Sequence, residues 1–75
     1  MTNEEVFAVM KEMFDSGNYN KMLRLGNLLK KNNVEIRDLN TKLIVYNGGD
    51  RLIIPTSGKG MDRKYMFDKY KIENI

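Results

Sequence analysis

The stretch Lys42 to Pro55, KLIVYNGGDRLIIP, constrains this chain more than any other. Two apolar runs flank Asn47, Gly48, Gly49 and Asp50, and paired glycines supply the positive φ angles a tight hairpin turn requires. With Gly48-Gly49 as the two-residue loop, Asn47 faces Asp50, Tyr46 faces Arg51, Val45 faces Leu52, Ile44 faces Ile53 and Leu43 faces Ile54. Moving the turn back by one residue sets Val45 against Asp50 and Ile44 against Arg51. That slip mixes apolar with charged side chains, so the first register is favoured.

The register gives the ribbon two unequal faces. Leu43, Val45, Leu52 and Ile54 line one face with no polar member. Ile44 and Ile53 occupy the other, flanked by Tyr46 and Arg51. A two-stranded ribbon is marginal alone, so a third strand or a covering helix is expected. The all-aliphatic face is expected to meet the N-terminal helices. Over the second face, either the C-terminal helix folds or a partner docks.

Upstream, Thr2-Asn3-Glu4-Glu5 fits a capping box, and Val6, Phe7, Val9, Met10, Met13 and Phe14 recur at helical spacing. The spacing predicts a helix over about residues 3 to 15, stopped by Ser16-Gly17-Asn18, with Gly17 suited to a left-handed position. A second helix, capped by Asn18 or Asn20, carries Met22, Leu25, Leu28 and Leu29 on one face, with Leu23 on its flank. Lys30 and Lys31 fall in its last turn, where they suit the macrodipole, and Asn32-Asn33 ends it. The short connector predicts an αα-hairpin. Val34–Leu39 reads equally as a short strand or one helical turn. A third helix is expected from about Met61 to Tyr70, followed by a tail whose Ile72 and Ile75 dock. The fold class is therefore α+β: one small domain in which an N-terminal helical hairpin packs on a two- or three-stranded antiparallel sheet, with a short C-terminal helix.

Composition narrows the function classes. The 75 residues contain no Cys and no His, which removes disulfides and the two commonest transition-metal ligands. No metal, cofactor or catalytic group is expected. The acids Glu4, Glu5, Glu12 and Asp15 lie on the polar face of the first helix with no pocket marked for them. No apolar run approaches a membrane span, and MTNEEVF carries acids where a secretory signal carries bases, so a cytoplasmic location is expected.

Net charge is +3, unevenly spread. Residues 1–17 hold one base and four acids, a balance of −3; residues 18–39 hold five bases and two acids, +3; residues 40–75 hold seven and four, again +3. Lys21, Arg24 and Lys31 lie on one side of the second helix, and Arg37, Lys42 and Arg51 extend that patch in a nucleic-acid reading. A winged helix-turn-helix would use Arg24 and Arg37 on bases and Arg51 on the wing. Such a domain needs a full recognition helix directly before the wing, and only Val34–Leu39 is available.

Ser57-Gly58-Lys59-Gly60 resembles part of a phosphate-binding loop. The full pattern needs glycine where Ile53 stands, and Ser or Thr where Gly60 follows the lysine. Lys59, ahead of a helix N-terminus, remains able to accept a nucleic-acid phosphate. Tyr65, Phe67 and Tyr70 among Arg63, Lys64, Lys69 and Lys71 read better as an amphipathic core face than as a single-strand binder. Six methionines suit either core filling or an adaptable binding surface.

These readings converge on a small non-enzymatic interaction protein. Its expected contact residues are Ile44, Tyr46, Arg51, Ile53 and Tyr65, and its partner is another protein or a second copy. A regulator or inhibitor, as in phage or mobile-element biology, is the role its size and general character suggest. The alternative is a winged-helix-like nucleic-acid binder using Lys21, Arg24, Lys31, Arg37, Arg51 and Lys59.

Overall fold

The computed structural model describes residues 1–74; Ile75, expected to dock, lies outside the described residues. Two helices precede a five-stranded antiparallel sheet. Helix α1 spans Asn3–Asp15 and opens with the full capping box: Glu5 N–H donates to Thr2 Oγ1 at 3.1 Å, and Thr2 N–H to Glu5 Oε1 at 2.9 Å. Gly17, at φ +64°, turns the chain out of α1. Helix α2 spans Tyr19–Lys31; Asn18 caps it by accepting from Lys21 N–H at 3.1 Å.

Val34–Asp38 resolves as strand β1, paired antiparallel with β2, Lys42–Asn47. Strand β3, Asp50–Ser57, pairs with β2 in the register derived from the turn, from Asn47 opposite Asp50 to Leu43 opposite Ile54. The turn demands less than the paired glycines suggest, since only one of them takes a positive φ. Gly48 takes φ +61°, whereas Gly49 stays outside the left-handed region, the pattern of a type II′ turn. A Cβ at either position would stand in open space, so only backbone strain separates the two. Gly48→Ala is therefore expected to cost about 1–2 kcal/mol, and Gly49→Ala to be neutral or slightly stabilising. Urea unfolding of the two variants checks this, and equal losses would contradict the turn type.

The expected third helix is absent. Residues 60–74 instead form a 3-10 turn at Gly60–Asp62, strand β4 at Lys64–Tyr65, a second 3-10 turn at Phe67–Lys69 and strand β5 at Lys71–Asn74. Both strands pair with the far edge of β3. They behave as one returning strand with a bulge. Ser57 pairs with Lys64 and Ile53 with Lys71, so four steps on β3 oppose seven on the returning chain. The three surplus residues match the turn at Phe67–Lys69.

The bulge stands beside Pro55. Alternation along the β2–β3 pair directs the carbonyl of Pro55 toward the returning strand, where it accepts from Met66 N–H at 2.9 Å. Its ring nitrogen lies on that same edge with no proton to give, so the ladder breaks there. Phe67, in the bulge, turns inward and is buried. The expectation failed because a bare β3 edge leaves a row of unpaired backbone groups. Met61, placed on the expected helix face, is 104% exposed and offers no burial to compensate.

The core lies between the helices and one sheet face. Val6, Met10 and Met13 of α1, Leu29 of α2, and Val34, Leu43, Val45, Leu52, Ile54 and Phe67 form one buried cluster. Phe7 stacks on Tyr70 at 4.2 Å and Phe14 tilts against Tyr65 at 4.6 Å. The hairpin turn is tied to the start of α1: Asn3 Nδ2 donates to Asp50 Oδ2 at 2.8 Å, and Asn47 Nδ2 to Asn3 Oδ1 at 2.9 Å. Asn47 Nδ2 also reaches the carbonyl of Met1.

Candidate binding face on the outer side of the sheet

Strand alternation sends odd-numbered residues of β3 away from the helices, together with the residues paired to them. Ile44 faces Ile53 and Tyr46 faces Arg51 on this outer side. Arg37 stands opposite Ile44 and Glu35 opposite Tyr46. Lys71 stands opposite Ile53 and Glu73 opposite Arg51. Lys42 faces Pro55 at the far end. The C-terminal helix expected to cover Ile44 and Ile53 does not exist, and the helical layer packs on the opposite face.

The outer face nevertheless shields its own centre. Ile44 is only 6% exposed although it is not part of the core cluster. Its neighbours across the strands are Arg37 and Ile53, and Lys42 and Tyr46 flank it on the same face. The Arg37 guanidinium lies over the Tyr46 ring, 5.4 Å from its centroid. Arg51 Nη2 donates to Glu73 Oε1 at 2.6 Å, holding β3 to β5. That bond, with a smaller contribution from Tyr46, raises the Arg51 pKa further. Arg51 Nε is buried and finds no hydrogen-bond partner among the described residues. Lys42, Ile53, Pro55 and Lys71 border a shallow cleft with Thr41 and Lys69. Arg37, Lys42, Arg51, Lys64 and Lys71 oppose Glu35 and Glu73, so five cations meet two anions on this face.

Tyr65 is the one expected contact residue that lies elsewhere. It pairs with Thr56, which puts it on the inner side, and it packs against the core. Its hydroxyl donates to Asp38 Oδ2 at 2.9 Å, and Arg63 bridges to Asp38 at 2.8 Å and to the carbonyl of Leu39. Burial, reinforced by the Asp38 carboxylate, pushes the Tyr65 phenol above its usual pKa. This cluster closes one end of the core.

The expected nucleic-acid residues fall into separate places. Lys21 is held by Glu12 at 2.7 Å, and that contact holds the Glu12 carboxyl below its usual pKa. Arg24 and Lys31 are exposed on α2, in the helical layer. Arg37 and Arg51 sit on the outer sheet face. Lys59 lies in the β3–β4 loop beside a cleft lined also by Thr41, Gly60 and Arg63. Only a three-residue 3-10 turn follows it, so no helix N-terminus stands there to receive a phosphate. The segment that a winged-helix arrangement needs as a recognition helix is β1.

Lys71 and Glu73 belong to the face yet carried no signal as contact residues while Lys71–Ile75 read as a tail. Their alternation around Ile72 is the pattern that marks a strand. Among the described residues, no group of three or more Asp and Glu is placed to hold a metal ion, and no helix is long and apolar enough to cross a membrane. Comparison with family models, with curated proteins and with solved structures returns no match.

Proposed function

We propose that this chain is a non-enzymatic binding protein that docks an acidic protein surface on the outer face of its sheet. A regulator or inhibitor acts by such docking. One observation carries this reading: Tyr46, Ile53 and Arg51 share a sheet face over which, among the described residues, no helix packs, with a surplus of cations around them. Since Ile44 is already shielded, the partner meets Tyr46, Ile53, Pro55 and the charged rim. Contact is then driven by charge as much as by apolar area.

The test begins with a protein captured by the wild-type chain and identified. That protein is titrated against isotope-labelled wild type, Ile53→Asp and Lys42→Glu/Lys71→Glu. Resonance shifts are expected on outer-face residues, and both variants are expected to weaken binding about tenfold or more with native circular dichroism. Shifts confined to the helices, or unchanged affinity in both variants, would remove the reading. Arg37 and Arg51 beside Tyr46 also suit a nucleic-acid strand. Low-salt anisotropy with single-stranded and duplex probes separates the two classes: a complex whose affinity falls steeply with salt favours nucleic acid instead.

A further inference from the structure

The two sides of this sheet end differently. The side formed by β4 and β5 is broken by the turn at Phe67–Lys69 and carries Lys64, Lys69 and Lys71, features that discourage pairing with another chain. The β1 side reads Val34-Glu35-Ile36-Arg37-Asp38, with no lysine, proline, glycine or bulge. Leu39 N–H donates to the Lys42 carbonyl at 2.9 Å. Alternation from that bond makes Arg37 with Ile44, and Glu35 with Tyr46, the pairs that exchange bonds with β2. The N–H and C=O groups of Val34, Ile36 and Asp38 therefore point outward, and among the described residues no turn, loop or cap bond reaches them.

We propose that β1 pairs antiparallel with β1 of a second copy, about a two-fold axis at Ile36. In that register Ile36 exchanges two hydrogen bonds with the other copy's Ile36, and Val34 exchanges two with Asp38 at each end. Every outward group of the strand is satisfied. The same register sets Glu35 of each copy opposite Arg37 of the other. These are the non-hydrogen-bonded positions, where side chains approach most closely. The edge is thus complementary to itself in charge as well as in backbone bonds. Within one copy Glu35 and Arg37 make only a loose contact at 3.8 Å, with both side chains exposed.

The helical layer agrees. A cleft lined by Gly26, Lys30, Asn33, Val34, Glu35 and Ile36 runs along this edge. Helical spacing puts Tyr19 and Leu23 on the side of α2 that carries Gly26 and Lys30. They are 72% and 49% exposed, apolar surface that α2 of the second copy meets across the axis. The dimer joins two sheets into one and makes the two outer faces continuous. It stands independently of the proposed partner, and its test reads mass and exchange without one.

Sedimentation of the full chain across the micromolar range is expected to show a monomer–dimer equilibrium. The amides of Val34, Ile36 and Asp38 should gain exchange protection as concentration rises. Glu35→Arg and Arg37→Glu should each weaken self-association about tenfold or more, because each sets like charges opposite at two places. An equimolar mixture of the two variants restores Arg opposite Glu at both places, so heterodimers should form with near wild-type affinity. The double variant Glu35→Arg/Arg37→Glu should likewise recover self-association. A wild-type monomer throughout overturns the proposal. So does a dimer whose Val34, Ile36 and Asp38 amides stay unprotected, or one indifferent to both single reversals.

Discussion

Replacing Leu52 by alanine is expected to destabilise the fold by about 2–5 kcal/mol, while Ile53→Ala, one residue on, costs about 1 kcal/mol. Leu52 is 0% exposed and belongs to the cluster formed with Val6, Met10 and Leu29. Ile53 points the other way, beside Ile44, and is partly exposed. A chain of 75 residues is expected to hold about 4–11 kcal/mol in all, so the Leu52 loss is a large fraction of the total. The Leu52→Ala melting midpoint should fall by roughly 10 °C or more. Ile53→Ala should lose only about 4–8 °C. Equal losses at both positions would mean that the outer face is as deeply covered in solution as the inner one, and the proposed docking face would be gone.

The contrast between those neighbours was legible in the sequence because a two-residue turn and an alternating strand leave no freedom. Once Asn47 faces Asp50, every later pair follows, and the slipped register carries its own penalty in the charges it buries against valine and isoleucine. Both N-terminal helices were legible for a similar reason. Their signals are local: Thr2 with Glu5, Asn18, and apolar residues at helical spacing across several turns. The C-terminal segment had no such local determinant. Met61, Tyr65, Met66 and Tyr70 match a helix over fewer than three turns, and the force that selects strand instead comes from β3, whose far edge must be paired. That requirement exists only after the hairpin has formed.

The same non-local choice decided the candidate site. Ile44, Tyr46, Arg51 and Ile53 were placed together by the register alone. The side on which Tyr65 falls depends on its pairing with Thr56, which no spacing within Met61–Tyr70 encodes. Val34–Asp38 shows the opposite case. Its five residues satisfy a strand or a helical turn equally well, and the free edge of β2 decides. The two edges of the central hairpin thus recruit one segment before it, which reads equally as strand or helical turn, and one after it, expected to be a helix. The charged residues of both segments, Glu35, Arg37, Lys71 and Glu73, become the rim of the outer face.

Gly58 carries the second large effect expected. The sequence Ser57-Gly58-Lys59-Gly60 invites comparison with a phosphate loop, but the structure gives its first glycine a mechanical role. Gly58 sits at φ +82°, and a Cβ there would run into the backbone carbonyl oxygen of Asp62. Gly60, at φ +59°, has open space around the same position. Alanine at either site brings about 1–3 kcal/mol of backbone strain; only Gly58→Ala adds a collision with backbone, which cannot rotate away. The tight turn is what allows Asp62 N–H to reach the Lys59 carbonyl at 3.1 Å and Arg63 N–H the Gly60 carbonyl at 3.3 Å. From there Arg63 reaches Asp38, and Tyr65 closes on the same carboxylate. Gly58→Ala is therefore expected to unfold at clearly lower urea than Gly60→Ala, with resonance shifts at Asp38, Arg63 and Tyr65 across the sheet. If the two variants unfold together, the close approach of residues 58 and 62 does not hold that end of the core shut.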